Sequence, residues 1–261
     1  MKRNKVHISD LILYKNSAEE ILNFLKKYSV KNLELFIEPL DEEYMKKMLY
    51  VLEHYTFKSV SFHGPFRKCN ISMLTELDWK KVVYSYEESF KIAQKYSPSF
   101  MVLHTNEAMT KNSITEELKL EIKKRIDYIV TLAEQYKINI VVENVGIGAN
   151  MIFSQEEYES LILNSSYQCL IDIGHAFLNH WNIETLIKTL QNHILGFHFH
   201  NNDGVYDKHD PMFSGKIPYG SLLPIIRKYT PEAVIVLEYD FLNPKEVVIE
   251  DWKRLESLLS T

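Results

Sequence analysis

Nine residues whose side chains could bind metals or move protons end or closely follow short apolar runs of this chain. His63 closes SVSFH, His104 closes FMVLH, His175 follows LIDIG, His200 closes LGFHFH, and His209 lies in the loop beyond. Four carboxylates take matching places: Glu143 in VVEN, Asp172 in LIDIGH, Asp207 in DKH and Glu238 in VLEY. A carboxylate at the end of such a run is partly buried, and leaving it unpaired there is costly. Imidazole nitrogens and carboxylate oxygens converging on one place need a cation, and a divalent metal supplies it. Taken singly, each residue has a plainer reading. A lone strand-end histidine is more often a packed rim residue, and a lone Asp at a loop start is more often a helix cap. Chance places two or three such residues at strand ends, not nine.

The elements that must position them alternate from end to end. Strand-like runs are KVHIS (Lys5 to Ser9), NLELFI (Asn32 to Ile37), SVSFH (Ser59 to His63) and FMVLH (Phe100 to His104). INIVVEN, CLIDIGH, LGFHFHNN and AVIVLEYD follow, ending near Asn144, His175, Asn202 and Asp240. Several are continuously apolar, as expected of parallel strands covered on both faces. Segments of helical period lie between them. Ser17 with Glu20, Ser113 with Glu116 and Ser154 with Glu157 have capping-box spacing, and Asp41 and Asn182 suit two further caps. Eight strands, each followed by a helix, predict an α/β fold: a single (β/α)8 TIM barrel filling residues 1–261 as one domain. The open doubly wound sheet is disfavoured, because no glycine-rich phosphate loop follows the first strand.

Bulk properties set outer bounds. With 261 residues, 46% hydrophobic and 25% charged, the composition is that of an ordinary globular protein. No apolar run approaches ~18 residues, so no membrane span is expected. The opening MKRNKVHISD lacks the apolar stretch of a secretory signal, and Cys69 and Cys169 suggest no disulfide framework. A cytoplasmic location is the expectation. The net charge of -5 gives no long-range attraction for nucleic acid.

Other polar residues are weaker candidates. His198 shares strand parity with His200, so both point into the barrel, with His198 packed behind the site rather than ligating. His7 in VHIS is placed to line the mouth, and His54, His180 and His193 fall in or near helices, at the surface. Arg67 and Lys68, just after HGPF, are read as a solvated loop within reach of an anionic substrate group.

These residues resemble the xylose isomerase-like barrels, which include the AP endonuclease family 2, over nearly the whole chain from VHIS to VLEYD. The resemblance implies a metal held by Glu143 in VVENV, Asp172 in LIDIGH, His200 in HFHNND and Glu238 in VLEYD. The other five resemble the fuller set of endonuclease IV, which binds three zinc ions. His63 in FHGPF and His104 in VLHTN match its early histidines, and His175, Asp207 and His209 match the ligands of its outer ion. Glu143 would then bridge two ions. The chain departs from that enzyme in two places. LELFIEPLDEE, after the second strand, is acidic where a basic DNA-holding loop is usual, and FSGKIPYG has Ser214 where a glutamate is usual.

Two activities follow as expectations. The first is a divalent-metal-dependent isomerase or epimerase of a small sugar or sugar phosphate, with Glu143 and Glu238 moving a carbon-bound proton through a metal-stabilised enediolate. The second is an endonuclease IV-like zinc phosphodiesterase acting on abasic DNA, which the acidity opposes, since phosphate neutralisation by Lys and Arg supplies most non-specific DNA affinity. The cofactor would be one to three divalent ions, zinc foremost with five imidazoles available and manganese as the alternative.

Overall fold

The computed structural model describes residues 4–73, 75–106 and 114–260. Eight parallel strands close into a barrel in sequence order: β1 (Val6–Ser9), β2 (Asn32–Phe36), β3 (Ser59–His63), β4 (Met101–His104), β5 (Ile140–Glu143), β6 (Gln168–Asp172), β7 (Ile194–Phe199) and β8 (Val234–Leu237). Pairing of Val6 with Ile235 and of Ile8 with Leu237 joins the first strand to the last. The helices that jacket the barrel are α1 (Ala18–Tyr28), α2 (Glu42–His54), α3 (Glu76–Ala93), α4 (Glu116–Gln135), α5 (Gln155–Leu163), α6 (Ile173–Leu178), α7 (Ile183–Leu190), α8 (Tyr219–Tyr229) and α9 (Lys245–Leu258). None of the described helices is long and apolar enough to cross a membrane. Cys69 and Cys169 are both free and buried.

Local chemistry sets the helix starts. Ser17 and Ser154 each form the full capping box, with Glu20 and Glu157 returning a bond to the cap's own amide. Asp41 and Asn182 accept from the amides of Tyr44 and Thr185, as their positions predict. One cap differs from expectation. The start of α4 is capped by Thr115, whose side chain accepts from Leu118 N, so Glu116 is the first helical residue rather than the partner of a capping box. Ser113 lies outside the described residues.

Apolar residues fill two separate spaces. The larger cluster lies between strands and helices and takes the outward side chains, such as Ile8, Leu33, Phe62 and Ile171, with the inner faces of the helices. A smaller cluster, Phe100, Val102, Val141, Leu170, Val234 and Val236, plugs the barrel interior. It covers the β4–β8 side only. On the β1–β3 side the interior is polar, with His7, Glu34 and Ser61 fully buried beside His198. His7 therefore sits inside the barrel rather than at the mouth: its Nδ1 meets Ser61 Oγ at 3.0 Å and its Nε2 meets Ser59 Oγ at 3.1 Å. Burial, with Lys5 nearby, pushes the pKa of His7 down to about 3, so the ring is neutral.

Candidate metal centre

Register delivers the site residues to one end of the barrel. His104 pairs directly with Glu143 across β4 and β5, and Asp172 pairs with His198 across β6 and β7. Partners in register project to the same face, so all four point inward. Two strands end earlier than their apolar runs suggest. β6 stops at Asp172 and the chain turns at once into α6, so His175 is a helical residue in place of a strand end. β8 stops at Leu237, leaving Glu238 just beyond it.

Asp172 has two tasks. Its Oδ1 caps α6 by accepting from His175 N at 2.6 Å, and its Oδ2 lies 3.1 Å from His200 Nε2. Asn144 locks this corner, donating to the Asp172 carbonyl at 3.0 Å and accepting from Asp172 N at 2.7 Å. Gly174 allows the close approach, because a Cβ there would lie 2.0 Å from His200 Cε1.

Asp207 and His209 lie in the long loop after β7. Paired main-chain bonds between Asn201 and Asp210, at 2.7 and 2.9 Å, close its base and return it over the mouth. His209 adopts a left-handed backbone at φ 46°, a conformation that is strained for a non-glycine residue and that concentrates at functional sites. Its carbonyl is pinned by Asp240 N and Asn243 Nδ2, both at 3.1 Å. Its Nδ1 donates to the Glu238 carbonyl at 3.1 Å, which leaves Nε2 facing Asp207 Oδ2 at 3.3 Å.

All nine residues come together, as overlapping groups whose ligand-type atoms lie within 4.8 Å of one another. His63, His104 and Glu143 form one group; Asp172, His200 and Glu238 a second; and His175, His200, Asp207 and His209 a third. His63 Nδ1 donates to the Gly64 carbonyl at 3.0 Å, so its Nε2 faces His104 Nε2, 2.9 Å away. His104 Nε2 is also 3.0 Å from Glu143 Oε2, and His175 Nδ1 is 3.5 Å from Glu143 Oε1. Most of these groups are buried, with Asp207 exposed and His104 and His209 half-buried.

The electrostatics show a site short of positive charge. Burial raises carboxylate pKa values, yet His104 and His198 hold Glu143 well below the usual range. Glu238 is pushed up by burial, against the pull of His198 and His209 and with the charges of Glu143 and Asp172 adding to the rise. Burial would strip the proton from His175, but Asp172, Asp207 and Glu143 outweigh it and raise its pKa well above the ordinary value. His209, against the cost of removing its charge from water, is raised to about 9 by Asp207, with Glu238 and Asp172 assisting. His63 goes the other way, held low by burial and by His104. Four carboxylates packed into an apolar mouth thus borrow protons for their histidines. Divalent ions would answer the same demand, and buried Glu143 Oε2, His175 Nδ1 and His200 Nδ1, which make no hydrogen bonds, are consistent with that. The donor set of imidazole and carboxylate suits zinc or manganese.

Over these groups lies a cavity of about 360 Å3, with Leu11, Phe36, Phe66, Val145 and Ile147 as its apolar walls and Asn106, Asn150 and Asp240 as added polar groups. Arg67 is not in a solvated loop. Its guanidinium lies 4.0 Å over the Tyr14 ring and within 6 Å of Phe36, Tyr44 and Phe66. Lys68 is exposed and donates to the Leu40 carbonyl. The acidic stretch LELFIEPLDEE, in and after β2, is also less exposed than its composition suggests. Glu34 is inside the barrel, and buried Glu38 accepts from the amides of Phe66 and Arg67. Of the outlying histidines, His54 and His180 are exposed, whereas His193 is half-buried against the Tyr167 carbonyl.

A closed parallel β/α barrel with His, Asp and Glu gathered at its carboxyl mouth defines a class of barrel well suited to metal chemistry. The family model described as the xylose isomerase-like TIM barrel matches residues 19–258, and the chain belongs to that family. An uncharacterized protein of Methanocaldococcus jannaschii, MJ1614, is 25% identical over 195 residues, covering 75% of this chain and 76% of its own. Among solved structures, a D-tagatose 3-epimerase-like protein superposes with a TM-score of 0.80 at 21% identity, covering 98% of this chain and 97% of its own. The IolI protein with a bound zinc atom has a TM-score of 0.77 at 15% identity, covering 98% and 97%.

Proposed function

We propose that this chain is a divalent-metal-dependent isomerase or epimerase of a small sugar or sugar phosphate. The observation that carries the reading is the placement of Glu143 and Glu238. Both line one cavity, and oxygens of both converge on His198 Nδ1, at 3.5 and 3.3 Å. Asp172, His200 and Glu238 with Glu143 would hold an inner ion, His63 and His104 with Glu143 a second, and His175, Asp207 and His209 an outer one. Bound there, an ion would supply Lewis-acid polarisation to adjacent carbonyl and hydroxyl oxygens, the charge stabilisation an enediolate needs when a carbon-bound proton departs. Glu238 and Glu143, whose oxygens approach His198 Nδ1 from two different strand ends, are the pair placed to take that proton and return it. Glu238 takes it, and Glu143 serves the opposite step through an oxygen left free by the ion. The apolar walls keep bulk water from the reacting carbon, and Asn106, Asn150 and Asp240 offer hydrogen bonds to hydroxyls. The likeness to a D-tagatose 3-epimerase-like fold and to a zinc-bound one supports this choice.

The nine-residue set also favours a second reading, an endonuclease IV-like phosphodiesterase, because three ion sites exceed what one proton transfer requires. Two assays on metal-loaded protein separate the two. Incubation with a panel of ketoses and their phosphates in deuterated water is expected to place deuterium on the carbon beside the carbonyl. Cleavage of an abasic duplex, with no exchange on any sugar, would overturn the isomerase.

Gly174 gives a further check on the inner ion. In Gly174→Ala the new methyl forces the His200 ring away from Asp172. Zinc affinity is expected to fall by about 10-fold or more, as for other disturbed ligand supports. The helical gain of Ala over Gly, about 1 kcal/mol, is offset by the clash. Competition with a chromophoric chelator measures this, and full wild-type affinity would remove His200 from the ligand set.

A further inference from the structure

A chain of buried polar groups runs through the β1–β3 side of the barrel interior, below the cavity, and its hydrogen bonds have one consistent direction. Ser61 Oγ donates to Glu34 Oε2 at 2.8 Å. Its own oxygen then accepts from His7 Nδ1 at 3.0 Å, which leaves His7 Nε2 to accept from Ser59 Oγ at 3.1 Å. On the other side, Glu34 Oε1 accepts from His198 Nε2 at 2.8 Å. Every donor points toward Glu34, which is 1% exposed. The arrangement solvates a buried carboxylate with fixed hydroxyl and imidazole dipoles, and the nearest group it can serve in return is His198.

His198 is fully buried, and its second nitrogen, Nδ1, makes no hydrogen bond of good geometry. It lies under the site, 3.3 Å from Glu238 Oε2, 3.5 Å from Glu143 Oε1 and 3.9 Å from Asp172 Oδ2. The ring is thus pinned at one nitrogen by a carboxylate buried for that purpose, with its other nitrogen beneath three proposed ligands of one ion. We propose that Glu34 and His198 form a positioning pair that sets the inner carboxylates Glu143, Asp172 and Glu238 for a divalent ion, without either residue reaching the substrate. This rests on the reading that those carboxylates hold an ion. Its physical basis is preorganisation. Without the Glu34 charge the bond that orients the His198 ring is weakened, and the carboxylates above it must be ordered when the ion binds.

The outer group of His175, Asp207 and His209 makes no contact with Glu34, so the effect should be selective. Glu34→Gln keeps the shape and removes the charge; Ser61→Ala removes one donor to Glu34 and is the milder change. Zinc affinity of the inner ion, by chelator competition, is expected to fall about 10- to 100-fold in Glu34→Gln. A smaller loss in the same direction is expected in Ser61→Ala, with the outer ion within about twofold of wild type. Cobalt-loaded Glu34→Gln should show a changed ligand-field absorption spectrum, which a merely structural role would not move. Wild-type affinity and spectrum in both variants would overturn the pairing, as would equal weakening of both ions. Should the wild type itself bind no divalent metal, the proposed function fails first. Metal bound equally by wild type and variants defeats the positioning pair alone.

Discussion

Replacing Asp207 and His209 together by Ala is expected to remove about one equivalent of zinc per chain while leaving the inner ion in place. Both residues lie on the loop closed by the Asn201–Asp210 pair, away from the strand ends that carry Glu143 and Asp172 and the residue after β8, Glu238. Asp207 Oδ2 approaches His175 Nε2 at 3.2 Å and His209 Nε2 at 3.3 Å, so the variant deletes two of the three groups specific to the outer ion. His175 alone would not retain zinc against buffer, since structural and catalytic zinc sites need three or four protein ligands. Some stability should be lost in the metal-free protein as well, because Asp207 is the charge partner of buried His175, which is left without it. His209 contributes a ring stacked 3.9 Å from His200, whose loss adds to that cost. Metal analysis of dialysed protein gives the answer. If the double variant binds as much zinc as wild type, the loop is only polar and the outer site does not exist.

The fold could be read from the sequence because a parallel barrel repeats one simple signal. Apolar runs covered on both faces alternate with capped amphipathic helices, and the Ser17, Asp41, Ser154 and Asn182 starts were visible in the local residue types. The nine candidate residues could be picked out because seven interrupt, end or closely follow an apolar run, while Asp207 and His209 lie in the loop beyond one; the structure brings all nine together. Some features were hidden, each for a physical reason. LIDIGH has no break between strand and helix, because Asp172 is both the last strand residue and the cap of α6. Capping-box spacing pointed to Ser113 as the cap of α4, whereas Thr115, two residues on, takes that place and accepts from Leu118 N. Glu34 was hidden among exposed acids in LELFIEPLDEE. Its one clue is parity: it lies two residues from Phe36, which lines the cavity, and in register with Ser61. Arg67 looked solvated because its aromatic partners Tyr14 and Tyr44 come from other β/α units. Long-range partners of that kind leave no local trace.

Glu238→Gln is expected to have the largest effect on the reaction, abolishing deuterium exchange on the substrate carbon while part of the metal remains bound. The substitution keeps the shape of the side chain and one oxygen, so ligation through that oxygen survives. It removes the basic oxygen; burial raises Glu143 and Asp172 too, but their histidine partners hold both below the usual range, whereas Glu238 stays raised. Loss of a positioned general base typically costs about 10^2- to 10^4-fold, enough to carry the exchange below detection. His198 and His209 also lose a charged partner, at 3.3 and 3.5 Å, so some loss of zinc is expected with the activity. The two effects separate by measurement: exchange by nuclear magnetic resonance at saturating zinc, and affinity by chelator competition. If Glu238→Gln still exchanges at the wild-type rate when fully loaded, another group takes the proton and Glu238 is only a ligand. In a phosphodiesterase no carbon-bound proton moves. The same variant would then lose cleavage in proportion to its lost metal and recover it at high zinc, an outcome incompatible with a catalytic base at this position.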